Sequence, residues 1–390
     1  RAGELETELA ELEASIPLTM VMQEMAKPRE TFVLMRGAYD HPDKNRPVQR
    51  SIPSALGSLP EGAPNDRRGL AMWLTNASNP LLARVTVNRY WEMLFGTGIV
   101  ETSEDFGLQG AWPSHPELLD WLAVEFRESG WDVRALLRRI VTSNTYRQSS
   151  RLRPEASAAD PEGRLLASYP RRRLGAEEIR DQALYVAGLL VEELGGPSVK
   201  PYQPEGLWRE VAMIQSNTRN FQRGDGNDLW RRSLYTYWKR AVPPPSLLTF
   251  DAPTREFCTI SRGVTNTPLQ ALVLWNDEQF VEAARMLAQR TLAEEAPADM
   301  GEFLDDATDW RIARMFRRCT GRLPEGVELT RLREVLEAFH ERYTASAEDA
   351  AALLALGEAP LPEDHDPAQL AAWTMLGNAL LALDETISRK

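Results

Sequence analysis

The strongest constraint on the fold is a succession of helical patterns, each opened by a capping residue and several closed by glycine. Asn79 can cap a helix that has proline at its first position, runs to about Phe95 and stops at Gly96. Residues 114–117 read Ser-His-Pro-Glu, the spacing of a capping box, in which side chains and backbone at a helix start bond each other reciprocally. Apolar residues three and four positions apart follow, which favours helices with one buried face.

Further helices are expected at both ends of the chain. Residues 1–15 are charged and helix-prone without signal-peptide character, and we expect them to continue from a longer chain. A helix from Glu178 is predicted to stop at Gly195 and Gly196. The C-terminal third predicts helices at 268–275, 278–293, 307–318, 327–345 and near 367–387. Residues 31–39 predict one short strand.

Two long stretches, 40–69 and about 195–262, interrupt the helices and are rich in proline and glycine, which favours extended loops. The expected fold class is therefore mainly α, an irregular multi-helix assembly with long Pro/Gly-rich loops and at most a small β element. Four segments are predicted: 1–69 as an N-terminal helix, short strand and extended loop, 70–194 as a helical core, 195–266 as a long irregular segment packing on that core, and 267–390 as a C-terminal helical region.

Charge and motif content exclude several function classes. A net charge of −12 argues against nucleic acid as the main partner, because binding there needs a basic surface. No run approaches the roughly 20 apolar residues of a membrane helix, so no membrane span is expected. Glycine-rich phosphate loops and the G-x-S-x-G motif are absent from the sequence. Cys258 and Cys319 lack CxxC spacing and the histidines are scattered, so no metal site is encoded by local spacing.

The stretch from Arg255 to Phe280 holds the leading site candidate. Arg255 and Arg262, with Asn266, precede a helix start and can give charge-assisted contacts to a carboxylate, sulfate or phosphate. Asp251 and Glu256 can act as catalytic carboxylates or simply neutralise those arginines. The plainer alternative is a capped helix start, because residues 267–270 read Thr-Pro-Leu-Gln and match a capping box with proline at the first position.

Two other places carry candidates with structural alternatives. On the helix over 80–95, Asn88 lies on an apolar face flanked by Arg84 and Glu92. These three can line a polar pocket, or Asn88 can tie a loop to the core, since buried amides are normally hydrogen-bonded. Glu24 lies among methionines near Arg36. It can be a general acid whose pKa apolar neighbours raise, or the ion-paired end of a core-facing methionine stripe.

Several stretches resemble the planctomycete-specific domain of unknown function 1553 in content and order. They are TMVMQEMAKPRETFVLMRGAYDHP, NPLLARVTVNRYWEMLFGTGIVETSEDFG, SHPELLDWLAVEF, SNTYRQSS, RRLGAEEIRDQAL, GGPSVKPYQPEGLW, RRSLYTYWKRAVPPPSLLTFDAPTREFC and TNTPLQALVLWND. The resemblance implies the C-terminal part of an exported protein, periplasmic or on the cell surface, whose upstream domains commonly include a cytochrome c domain. It implies no cofactor in this chain, with haem expected only in a separate upstream domain, and an oxidising compartment in which Cys258 and Cys319 can pair.

The resemblance implies context and no reaction, so it carries over no catalytic residues. Met93 and Thr97 stand where the family commonly has histidine and arginine, which weakens a metal or haem ligand on that helix. The function expected is an accessory or substrate-docking module of a redox-linked protein. The alternative is an enzyme domain acting on an anionic or carbohydrate substrate through an Arg/carboxylate pocket. Expected partners are the upstream domains of the same polypeptide and a polysaccharide or anionic small molecule.

Overall fold

A computed structural model describes residues 1–16, 18–151, 153–298, 304 and 306–389. Over these residues the helices are α1 (Ala2–Ser15), α2 (Arg67–Leu74), α3 (Leu82–Phe95), α4 (Pro116–Glu128), α5 (Val133–Val141), α6 (Pro154–Ala159), α7 (Ala176–Ala187), α8 (Leu207–Val211), α9 (Pro245–Thr249), α10 (Pro268–Asn276), α11 (Glu278–Leu292), α12 (Ala307–Thr320), α13 (Gly326–Ala345), α14 (Ala347–Leu354), α15 (Pro367–Leu381) and α16 (Asp384–Ile387). The strands are β1 (Thr31–Leu34), β2 (Pro42–Val48), β3 (Arg172–Arg173) and β4 (Ser388–Arg389). The predicted mainly α fold with a small β element is confirmed.

Two of the predicted capping signals act at helix starts, whereas the Ser114 hydroxyl, expected in a capping box with Glu117, donates to the Ile99 carbonyl instead. The Asn79 carboxamide oxygen accepts hydrogen bonds from the backbone N–H groups of Leu81 and Leu82, at 3.0 and 3.1 Å. Thr267 and Gln270 form the expected capping box at the start of α10. These bonds satisfy backbone donors that have no partner within the helix, which is why local sequence can specify where a helix begins.

One compact unit comprises Arg1–Val87 and Glu117–Val133. Its small sheet pairs β1 with β2 in antiparallel register, with Thr31 opposite Val48 and Leu34 opposite Pro42. The expectation that residues 40–69 form only loop is therefore wrong. The β2 strand, with sequence PDKNRPV, is almost wholly exposed and has no alternating apolar pattern, so period-two reasoning could not find it.

The methionine-rich segment of this unit is also exposed. Met20, Met22 and Met25 have 99%, 83% and 64% of their surface in solvent. The core-facing methionine stripe expected around Glu24 is therefore wrong. The segment forms no helix that could place those side chains on a common buried face.

The other compact unit comprises Asn88–Pro116 and Arg134–Lys390. Its main core joins apolar faces of α7, α11, α12, α13 and α15. The α15 helix is buried on nearly all sides, and Gly377 allows close approach because a Cβ there would lie 3.1 Å from the carbonyl oxygen of Ala284. The β3 and β4 strands pair beside this core. No helix in the described ranges is both long and apolar enough to cross a membrane.

Several helices differ from expectation. The α7 helix ends at Ala187, because Gly188 adopts a left-handed φ of 79° and its backbone N–H bonds back to the last turn. Gly195, expected to stop this helix, lies beyond it. The α14 helix was not predicted, since it is short and follows α13 after a single residue, Ser346. The last predicted helix is divided into α15 and α16.

Candidate anion-binding site

Residues 251–266, here called the arm, carry most of the predicted site residues and are fastened at both ends. The Asp251 carboxylate pairs with Arg173 and accepts bonds from the backbone N–H and the hydroxyl of Thr265, at 2.9 and 2.8 Å. The Gln270 side chain donates to the Thr249 carbonyl at 2.9 Å and to the Thr265 hydroxyl at 3.1 Å. Asp251 therefore closes the arm on itself and has both oxygens engaged.

The middle of the arm is held by two further contacts. The Ser261 hydroxyl donates to Glu92 at 2.8 Å. Arg262 makes two hydrogen bonds to the carboxylate of Glu177 in the first turn of α7, at 2.7 and 3.3 Å. Burial alone would raise the pKa of Glu177, but hydrogen bonds from Arg262 and the backbone, with the charges of Arg262 and Arg255, hold it below its ordinary value.

Arg255 differs from its neighbours because it has no carboxylate partner within ion-pair distance among the described residues. Its guanidinium lies 4.1 Å from the ring centroid of Trp238. The Trp238 indole N–H donates to the Thr254 carbonyl at 2.9 Å, which fixes the ring. The arginine has a left-handed φ of 65°. A non-glycine residue in this conformation is strained by about 1–3 kcal/mol, so the surrounding contacts impose this orientation.

Arg255 lies at the wall of a cavity of about 820 Å³ that follows one face of α7. We call this the α7 cavity. Its acidic lining residues are Glu177, Glu178, Asp181 and Glu385, and its other arginines are Arg232, Arg318 and Arg389.

Each acidic group of the α7 cavity is bonded within the chain. Asp181 accepts from the backbone N–H and hydroxyl of Ser233, both at 2.7 Å. Glu178 accepts from the Gly175 N–H at 2.9 Å, and Glu385 pairs with Arg322 at 2.7 Å. Because these carboxylates are already engaged, Arg255 is the cationic group best placed to receive an anion from solvent.

The side chain of Asn88 forms its hydrogen bonds with buried groups of the protein. Its amide donates to the Val100 carbonyl at 2.9 Å and to the Ser103 hydroxyl at 3.0 Å, while its oxygen accepts from the Val100 N–H at 2.8 Å. Gly98 allows this arrangement, since a Cβ there would lie 2.5 Å from the Asn88 nitrogen. The interpretation that Asn88 ties a loop to the core is confirmed. Ser103 also bonds Glu92, so this cluster is internally satisfied.

Three further candidates belong to the compact unit formed by residues 1–87 and 117–133. Glu24 forms ion pairs with Arg50 at 3.1 Å and Arg67 at 3.2 Å. Arg84 pairs with Asp120 at 2.6 Å. Arg36 is exposed, with a φ of 52°. Within this unit, the structure thus pairs Glu24 with arginines other than Arg36 and Arg84.

The last two predicted site residues are exposed, and the cysteines are not bonded to each other. Glu256 and Asn266 are both in contact with solvent. Cys258 and Cys319 are both free, the first exposed and the second buried, so the pairing expected from the family resemblance does not occur. The described residues hold no group of three His, Cys, Asp or Glu side chains arranged to bind a metal ion.

Comparison with protein families shows which family this chain matches. The family described as protein of unknown function (DUF1553) matches residues 66–336 of this chain. That range exceeds half of the 390 residues. This chain belongs to the DUF1553 family. Comparison with curated proteins and comparison with solved structures gave no match.

The matched DUF1553 range includes the arm and the part of α7 that faces it. Sequence reasoning found the arginines of the arm and missed Glu177 and Trp238, which fix their positions. Glu177 stands 85 residues before Arg262, so no local spacing connects them. The run of two acidic residues at the start of α7 was the available signal, since carboxylates are favoured in the first turn of a helix.

Proposed function

We propose that this DUF1553 domain is a docking module that binds an anionic group, such as a uronate carboxylate or a sulfate of a polysaccharide, in the α7 cavity. The observation that carries this proposal is Arg255, which lines the cavity with its guanidinium held against Trp238 and has no carboxylate within ion-pair distance among the described residues. Its charge acts on Glu177, but the hydrogen bonds of that carboxylate come from Arg262. A planar guanidinium that is already oriented can bind a carboxylate or sulfate through two hydrogen bonds.

The carboxylates support docking over hydrolysis. Enzymatic cleavage of a glycosidic bond commonly needs two carboxyl groups, one of which holds a proton near neutral pH. Asp251 has both oxygens engaged by Arg173 and Thr265. The pKa of Glu177 is lowered, because Arg262 and a backbone N–H outweigh the effect of burial, which is the opposite of what a general acid requires. The enzyme alternative would therefore need a carboxylate freed from its present partners.

The same proposal includes the cellular location and the domain content of the parent protein. The family resemblance supports an exported, redox-linked parent protein of planctomycete type, in which haem would be carried by a separate upstream domain. The docking module would then hold the substrate near that domain. Haem staining of the full-length parent protein after cell fractionation tests this setting. A haem-free parent protein in the cytoplasmic fraction would contradict it.

Isothermal titration calorimetry tests the binding function. We expect trigalacturonate to bind the wild type and its methyl ester, which lacks the negative charges, to bind the α7 cavity much more weakly. Arg255→Ala should weaken trigalacturonate binding about 10- to 100-fold, since hydrogen bonds to charged groups contribute roughly 1.5–3 kcal/mol. Arg331→Ala is the matched control, because it removes the same charge from an exposed site on α13. Equal affinity in both variants would contradict the proposal.

A further inference from the structure

We infer that the segment around Trp208 forms a second binding cavity, separate from the α7 cavity, for a neutral saccharide unit. This cavity measures about 650 Å³. That volume falls within the range of about 300–1,000 Å³ typical of small-molecule sites. We call it the Trp208 cavity, and its polar lining includes Gln203, Glu205, Trp208, Arg209, Arg223 and Glu278.

The cavity is built on a fixed backbone despite its irregular secondary structure. Val199 and Thr236 form a parallel β-bridge, and the Gly224 N–H bonds the Lys200 carbonyl at 2.9 Å. Gly206, with a φ of 85°, turns the chain into the short helix α8, which carries Trp208. A residue with a side chain would be strained in this turn. The segment is therefore preorganised, which reduces the entropy lost when a ligand binds.

Trp208 is the buried centre of the cavity wall. Only 2% of its surface is exposed. Its ring packs edge-on against Phe221 at 5.1 Å and lies at a tilt to Tyr237 at 5.6 Å, while Lys239 lies 4.6 Å from its centroid. The ring faces are thus already covered. Trp208 can offer a ligand its indole N–H but no stacking surface.

Two lining donors lack partners. The indole nitrogen of Trp208 and the amide nitrogen of Gln203 are buried and make no hydrogen bond within the described residues. Leaving a buried donor unpaired costs about 1–3 kcal/mol, so such groups are normally satisfied. Both donors belong to residues that line the same cavity. A ligand bearing oxygen acceptors would satisfy them once the adjoining side chains shift to expose the two nitrogens.

The charges of the lining identify the ligand class. Two carboxylates, Glu205 and Glu278, are balanced by two guanidiniums, Arg209 and Arg223. Arg209 donates to the Asn220 carboxamide oxygen at 3.0 Å. Arg223 pairs with Glu358 and, at 4.0 Å, with the lining residue Glu278. Both guanidiniums already have partners within the chain, so neither can receive an anion in the way proposed for Arg255. A neutral polyol presents hydroxyls that both donate and accept, so it can use the carboxylates and the unpaired N–H groups together.

Saturation-transfer NMR and calorimetry with cellohexaose, mannohexaose and xylohexaose test this inference. We expect the wild type to bind at least one of them. Gln203→Met keeps the side-chain length and removes the amide, and Glu278→Gln keeps the shape and removes the charge. Each should weaken binding at least about fivefold, the effect of losing a single hydrogen bond of roughly 1 kcal/mol. Gln369→Met, at an exposed position on α15, is the matched control and should bind as the wild type does.

Binding measurements on the Arg255→Ala variant distinguish ligand binding in the Trp208 cavity from binding in the α7 cavity. Arg255→Ala should leave binding of the neutral hexasaccharide unchanged, because Arg255 does not line the Trp208 cavity. Thermal unfolding followed by circular dichroism checks that each variant is folded, and Glu278→Gln decides the question if Gln203→Met does not fold. The inference is overturned if the wild type binds none of the three neutral oligosaccharides, whatever the result with trigalacturonate. It is also overturned if folded variants retain wild-type affinity.

Discussion

Arg262 on the arm donates two hydrogen bonds to the carboxylate of Glu177 on α7, at 2.7 and 3.3 Å. The pair is partly exposed, with 46% of the arginine side chain and 23% of the glutamate side chain in solvent. It joins a segment without regular structure to a helix of the core. It thereby holds the arm, including Arg255, against the α7 cavity.

Removing this pair should change the titration of Glu177. Burial raises the pKa of Glu177 when Arg262 is absent, so Arg262→Ala should move that pKa upward. Carbon-detected NMR of the side-chain carboxyl measures it. We expect a stability loss of about 0.5–1 kcal/mol at neutral pH, the upper part of the range for partly exposed ion pairs.

The pH dependence of stability follows from the lowered pKa of Glu177 in the folded wild type. A carboxyl with a lowered folded pKa contributes stability above its unfolded value of about 4.3, and this contribution is lost as pH falls through the folded value. The difference in unfolding free energy between wild type and Arg262→Ala should therefore shrink below about pH 4.3. A difference that stays constant from pH 7 to pH 3 would show that the pair does not stabilise the protein.

Substitution of Asn88 should destabilise the protein more than substitution of most other polar residues. Asn88→Ala leaves the backbone N–H and carbonyl of Val100 without their partner in a fully buried place. We expect a loss of about 2–4 kcal/mol in unfolding free energy, measured by chemical denaturation, since each orphaned buried group costs about 1–3 kcal/mol. The control Asn276→Ala removes an exposed amide that bonds only its own helix and should cost less than about 1 kcal/mol. If Asn88→Ala and Asn276→Ala lower the free energy of unfolding by similar amounts, the structural role of Asn88 is refuted.

Arg180 on α7 is buried and forms hydrogen bonds with the segment that follows α8. Its guanidinium donates to Gln279, to Ser233 and to the carbonyl groups of Leu229 and Arg231, at 2.6–3.2 Å. Arg180→Lys keeps a cation but cannot reach four acceptors in a fixed plane. We expect a destabilisation of about 2–4 kcal/mol, against a negligible change for Arg331→Lys on the exposed face of α13. Wild-type stability of Arg180→Lys would disprove this role.

The two cysteines should differ sharply in reactivity. Cys258 is exposed, whereas burial raises the pKa of Cys319 to about 12. Because the thiolate is the reactive form, iodoacetamide should label Cys258 quickly in the native protein and Cys319 only after denaturation. Peptide mass spectrometry identifies each labelled site. Failure to label either residue before reduction would indicate that the two are bonded, contrary to the structure.

The sequence predicts correctly those features that depend on residues of a single helix. Thr267 and Gln270 cap a helix through bonds made within four residues, and Asn79 does the same at its own helix. The role of Asn88 was also accessible, because an amide on an apolar helix face has to find partners wherever the chain passes. These inferences depend only on helix geometry and on hydrogen bonding.

Sequence reasoning failed where distant segments meet. Nothing near Arg262 indicates Glu177, and nothing near Arg255 indicates that its guanidinium will rest on Trp238. The exposed strand β2 has no apolar alternation, so its sequence predicts a loop. The sequence predicts a long irregular segment around Gln203 and Trp208, but the short helix α8 and the unpaired donors are visible only in three dimensions.

The most direct test of the central claim is a crystal structure of the protein soaked with trigalacturonate. We predict that a uronate carboxylate will lie within about 3 Å of the Arg255 guanidinium, inside the α7 cavity, with two hydrogen bonds between them. The Arg262–Glu177 pair should remain closed beside it. Trigalacturonate bound elsewhere, or an Arg255 guanidinium without ligand at saturating concentration, would contradict the account.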